Sequence, residues 1–163
     1  MVDFTYQVQG LRQLERNLDA LAEEYGPRNA LAALRAPIRA ALRPLADDIA
    51  SNTPVDTGAL AESVRITVRM PGRRQRGPHI DSRRHVLVGE VGWRWSRGNS
   101  LLGRALALEF GNRRVAAQPV LRPAFDRHSR TIANTFAEEF ARSIERTATR
   151  LGRRAAAGTL DRR

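Results

Sequence analysis

Leu31, Leu34, Ile38, Leu42, Leu45 and Ile49 recur at steps of three and four residues. That spacing places all six on one side of an α-helix and predicts a long amphipathic segment. Pro37 and Pro44 fall inside it. Each lacks the backbone N–H that a helix interior uses, and its ring presses on the preceding turn, so a kink or break is expected near Ala36. Any fold of this chain must accommodate a stripe that favours a helix and two residues that oppose one. A second stripe, Leu11, Leu14, Leu18 and Leu21, comes before it and is stopped by Gly26 and Pro27. Each stripe spans too few heptads for a coiled coil, so both are expected to cover a core.

The remaining elements follow from the same patterns. Phe4, Tyr6 and Val8 alternate with polar residues and predict a short strand ending at Gly10. Pro54 ends the long helix. Val64, Ile66 and Val68 alternate with Arg65, Thr67 and Arg69, a strand with one wet face; Val86, Val88, Val91, Trp93 and Trp95 predict its partner. Between them, residues 71–84 hold two prolines, two glycines and five arginines, Arg73, Arg74, Arg76, Arg83 and Arg84, which predicts a flexible basic loop. Residues 100–110 predict a short helix closed by Gly111, and residues 113–118 an extended stretch. Residues 123–151 predict a long helix with Ile132, Phe136, Phe140 and Ile144 on one face, supported by Glu138 and Arg142 one turn apart. Residues 152–163 carry arginine, alanine and glycine without periodicity and are expected to form a mobile tail. The expectation is one α+β domain over residues 1–151: a small antiparallel sheet packed by amphipathic helices, with a long C-terminal helix.

Composition narrows the function. The chain has 163 residues, of which 42% are apolar, enough for a real core. It has no cysteine, which excludes disulfides, thiolate metal sites and cysteine nucleophiles. Its 28 basic residues are all arginine, and the net charge is +11. GC-rich coding accounts for a preference for arginine over lysine. The same guanidinium groups suit carboxylate or phosphate partners. Residues 1–9 lack the apolar region of a secretion signal, and the apolar runs are too short to span a membrane. Synthesis and assembly in a cytoplasm are therefore expected.

Catalytic patterns are missing. His79, His85 and His128 show no metal-ligand spacing, and the glycines at 89 and 92 follow no phosphate-binding template. Glu23 with Glu24, Asp47 with Asp48, and Glu138 with Glu139 are adjacent pairs, which do not converge on a substrate and read as solvated faces. No enzyme activity, metal or cofactor is expected. A nucleic-acid-binding protein is the alternative reading: the loop arginines, with Arg94 and Arg97, lie near Trp93 and Trp95, as in single-strand binders. Alternation places both tryptophans on one face, which favours packing in the core or at an interface. Helix-turn-helix, RRM and zinc-finger patterns are absent.

Two segments carry more information. One is Pro54-Val55-Asp56-Thr57-Gly58-Ala59-Leu60, followed by Glu62 and Ser63. The other runs Glu109-Phe110-Gly111 and then Gln118-Pro119-Val120-Leu121-Arg122-Pro123-Ala124-Phe125. Together, in this order, they resemble the tail-completion family of long-tailed phages, related to the lambdoid minor tail protein Z. The likeness extends over residues 4–145. Val120 replaces the aromatic usual after Gln-Pro, Asn112 replaces a frequent threonine, Pro37 and Pro44 are unusual, and residues 73–84 look inserted. The resemblance implies a virion protein of the neck. It would complete the tail and join it to the head connector or stopper as a ring matching the six-fold tail. Its partners would be itself, the tail tube protein, the connector and the passing DNA, with no membrane.

The residues of these motifs read as shape-defining. Asp56 or Thr57 is expected to cap the turn after Pro54, Gly58 to allow close backbone approach, and Leu60 to enter the core. Gly111 permits a left-handed exit, and Pro119 and Pro123 hold an extended corner. Glu109 stands on an otherwise apolar run, where an unpaired carboxylate is costly to bury. The expectation is an arginine partner across a subunit contact built from Glu109, Phe110, Arg113, Arg114 and Arg122; a solvated helix end is the other reading. Arg73, Arg74, Arg76, Arg83 and Arg84 are expected to face acidic protein or DNA.

Overall fold

A computed structural model describes residues 11–54, 58–71, 87–94 and 101–157. The expected strand at Phe4, Tyr6 and Val8, the loop arginines Arg73, Arg74, Arg76, Arg83 and Arg84, and Trp95 and Arg97 lie outside these residues, as do His79 and His85. The elements are α1 (Leu11–Tyr25), α2 (Pro27–Asn52), α3 (Ala59–Glu62), β1 (Val64–Arg69), β2 (Val88–Trp93), α4 (Leu101–Phe110) and α5 (Leu121–Ala156). The fold is α+β, with a two-stranded antiparallel sheet and a long C-terminal helix. The helix continues to Ala156, so the part of the expected tail up to that residue is helical.

Helix α2 runs unbroken through both prolines, against the expected break near Ala36. At Pro37 a substitute bond fills the gap. Residue 37 of a regular helix would donate its N–H to the carbonyl of Ala33, and proline cannot. Ser143 of α5 donates its hydroxyl to that Ala33 oxygen at 2.7 Å. Ser143, Ala33 and Pro37 are all buried, so the orphaned carbonyl is satisfied where water cannot reach it.

The buried stripe of α2 also differs from the expected one. It consists of Ala30, Ala33, Pro37, Ala41, Leu45, Ala46 and Ile49, while Leu31, Leu34, Ile38 and Leu42 are only half-buried. Small side chains let α5 approach closely, and the larger ones flank the seam. The two helices run antiparallel: Ala33 meets Ser143 near one end, and Asp48 meets Arg127 and His128 near the other. Three apolar clusters line the bundle. Leu21 and Tyr25 of α1 pack with Ala30, Ala33 and Leu151. Phe140 and Ile144 sit midway, with Phe136 stacked on Phe140 at 5.4 Å. Leu45, Ile49, Val120 and Ala124 join the sheet at the far end.

Asp48 ties α2 to α5, contrary to its reading as part of a solvated pair. Its carboxylate accepts from Arg127 at 2.8 Å and lies 3.1 Å from His128 Nε2. Desolvation raises its pKa, but the hydrogen bond and charge of Arg127, with His128, outweigh this and hold it below the usual aspartate range. Glu139 takes Arg142 at 2.7 Å and Arg146 at 3.6 Å, so the main partner of Arg142 is one residue beyond the expected Glu138.

The sheet lies on α2. Val64, Val91 and Trp93 pack against Leu45 and Ile49, and Trp93 donates its indole N–H to buried Thr53 at 3.3 Å. Trp93 therefore packs inward, the second of the two expected readings. Gly89, paired with Val68, marks the closest approach: a Cβ there would fall 2.5 Å from Ile38 Cγ2 and 2.7 Å from Leu42 Cδ1.

Two outcomes follow. Ser143→Ala strips the Ala33 carbonyl of its partner and should cost about 1–3 kcal/mol, read from urea unfolding; an unchanged midpoint would show that α2 tolerates Pro37 without help. Gly89→Val, normally favourable in a strand, should instead destabilise by about 1–3 kcal/mol because the added atoms overlap Ile38 and Leu42.

Candidate assembly surface

Helix α4 leads into a ten-residue corner that turns back to start α5. Gly111 makes the exit at φ +71, as expected, and donates its N–H to Ala107 O at 2.9 Å. A side chain at 111 would also meet the Ala117 nitrogen at 2.8 Å. Asn112 then folds the chain: its Oδ1 accepts from the N–H groups of Arg114 and Val115 at 2.8 and 2.9 Å. Gln118 N–H returns to Leu108 O at 2.8 Å and closes the corner onto α4.

Glu109 is the centre of this arrangement. Its Oε2 accepts from the backbone N–H of Val120 at 2.9 Å and of Leu121 at 3.0 Å, and its Oε1 from Arg122 N–H at 3.4 Å. These are the first donors of α5, which have no partner inside the helix. A negative charge there also complements the helix dipole. Backbone amides of its own chain therefore take this half-buried carboxylate, which is not simply a solvated helix end. Of the other residues expected at the contact, Phe110 is 71% exposed. Arg113, Arg114 and Arg122 are exposed on the same corner. Pro123 sits in the first turn of α5, where a missing N–H costs nothing, and Pro119 is exposed just before it.

The two motif segments meet here. A groove of about 320 Å³ is lined by Pro54, Gly58 and Leu60 on one side and by Ala107, Leu108, Val115 and Gln118 on the other, with Arg104 at its edge. Leu60 is half-buried in this wall and does not enter the core as expected. Gly58 occupies the start of α3 with φ +74 and no side-chain cap; Asp56 and Thr57 lie outside the described residues. A shallower depression beside the groove joins Pro54 to Gln118, Pro119, Pro123 and Arg127. Along the outside of α4, Leu102, Leu106 and Phe110 are exposed one turn apart, and Val115 and Phe125 are exposed as well.

Reading the sequence missed the Glu109 cap and the Asp48–Arg127 tie. Both join residues distant in the chain, 11 to 13 apart for the cap and 79 for the tie, so no local pattern marks them. Glu109→Ala should therefore destabilise the isolated protein, by about 0.5–2 kcal/mol, through loss of the α5 cap. Thermal unfolding measures this, and an unchanged melting temperature would rule the cap out as a source of stability.

Among the described residues, no helix is long and apolar enough to cross a membrane. Comparison with family models, curated proteins and solved structures gives no match.

Proposed function

We propose that this chain is a structural subunit of the head–tail junction of a long-tailed bacteriophage. Copies associate as a ring, complete the head-proximal end of the tail, and offer a docking face to the connector. The chain acts by assembly, performs no catalysis and uses no cofactor.

The observation that carries this reading is the convergence of both motif segments on one surface. Pro54, Gly58 and Leu60 form one wall of a single groove and Ala107, Leu108, Val115 and Gln118 the other, although the whole two-stranded sheet lies between them in sequence. Beside the groove runs the exposed stripe of Leu102, Leu106 and Phe110. An apolar stripe of this kind, rimmed by arginines, is the usual mark of a protein contact. The corner is also held rigid by Glu109 and Asn112, so little ordering entropy opposes docking.

The double substitution Leu106→Ser and Phe110→Ser tests it. Both side chains already face water, so stability should change by less than about 1 kcal/mol. Association should weaken strongly, because a buried aromatic anchor is worth about 2 kcal/mol or more, roughly thirtyfold in affinity. Mass photometry of the protein, alone and with the tail tube protein of the same phage, reads the association; imaging of assembled particles places the subunit. A wild-type chain that stays monomeric and ignores the tube protein would refute the proposal.

A further inference from the structure

The solvent face of α2 differs in chemistry from the α4 corner. Arg35, Arg39 and Arg43 are exposed and stand at four-residue intervals, with Arg28 two turns earlier on the same side. Successive members of the row are about 6 Å apart along the helix axis. Exposed Ala32 and Ala36 lie between them and leave the ridge low. Residues 27–46 contain no carboxylate. Arg35, Arg39 and Arg43 have no hydrogen-bond or ion-pair partner among the described residues. The arginines of α5 contrast with this. Arg142 and Arg146 share Glu139, and Glu145 lies beside Arg146 and Arg150.

We propose that the Arg35–Arg39–Arg43 ridge of α2 binds the phosphate backbone of duplex DNA without sequence preference. A spacing of about 6 Å lies close to two phosphate steps of one strand, about 6.8 Å along the duplex axis. Guanidinium groups bind phosphate oxygens through paired N–H donors, and three of them without internal carboxylates concentrate positive charge on one line. Protein contacts are built around apolar and aromatic anchors. Among the described residues, the large exposed apolar side chains are Met70, Leu102, Leu106, Phe110, Val115 and Phe125, and none of them is on α2. The ridge has no aromatic side chain on which unpaired bases could stack, which favours duplex over single strand. This inference is independent of the assembly reading.

The test uses the full chain and a fluorescein-labelled random-sequence duplex of about 20 base pairs, with anisotropy followed across a salt series. Each phosphate-contacting arginine contributes about 0.9 to the slope of log K against log salt. The triple substitution Arg35→Gln, Arg39→Gln and Arg43→Gln should lower the slope by about 2.7 and weaken low-salt binding by about tenfold or more. Lysines at the same three positions should keep the slope. Arg39→Gln alone, the least disruptive variant, should lower it by about 0.9. Arg142→Gln, Arg146→Gln and Arg150→Gln remove the same charge from α5 and should leave the slope nearly intact. Equal losses from the two triples would mean diffuse attraction by net charge and would overturn the proposal. So would an unchanged slope in the α2 triple, or displacement of the duplex by polyglutamate at matched charge, which would indicate an acidic protein partner. Circular dichroism confirms that each variant keeps its helices.

Discussion

The structure depends on the close packing of α2 against α5, and that packing depends on a hydroxyl. Pro37 removes a helix donor within the buried seam, toward one end, and Ser143 supplies one from the opposite helix. The exchange turns a local defect into a cross-link. It also fixes register, because the Ala33 carbonyl is open at only one height along α2. Alanines along the rest of the stripe keep the axes close, so Ser143 reaches a backbone atom directly. Pro37 then packs as an apolar residue with almost no exposure. Asp48 fastens the far end of the same seam through Arg127 and His128.

Everything else is arranged on that pair. α1 covers one end through Leu21 and Tyr25. The sheet covers the other through Val64, Val91 and Trp93, brought close by Gly89. The start of α5 is set by α4, whose Glu109 holds the first amides of the long helix. One carboxylate therefore links the geometry of the exposed corner to the bundle beneath it.

Charge and apolar surface are kept apart. Apolar side chains gather on α4 and the corner, where arginines form a rim. The α2 ridge carries arginine and alanine only. A general preference for arginine over lysine would not explain why, among the described residues, Arg35, Arg39 and Arg43 of α2 have no carboxylate beside them while Arg127, Arg142 and Arg146 of α5 do. Placement, more than count, gives the two faces their different chemistry.

The sequence by itself determined the element order and class. Periods of 3.6 and two are set by local geometry, so the helices, the two strands, the stop at Gly26–Pro27 and the turn at Gly111 were legible from spacing and turn chemistry. The left-handed turn at Gly111 was legible for the same reason, whereas Pro123, expected in an extended corner, sits in the first turn of α5. Only the tertiary structure decided that α2 continues through its prolines, that alanines fill most of its buried stripe while Leu31, Leu34, Ile38 and Leu42 are half-buried, that Leu60 lines a groove, and that Glu109 caps α5. Each of these depends on a partner far along the chain. Propensity describes what a segment does alone, whereas a missing hydrogen bond or an uncompensated carboxylate is resolved by whatever group the fold brings to it.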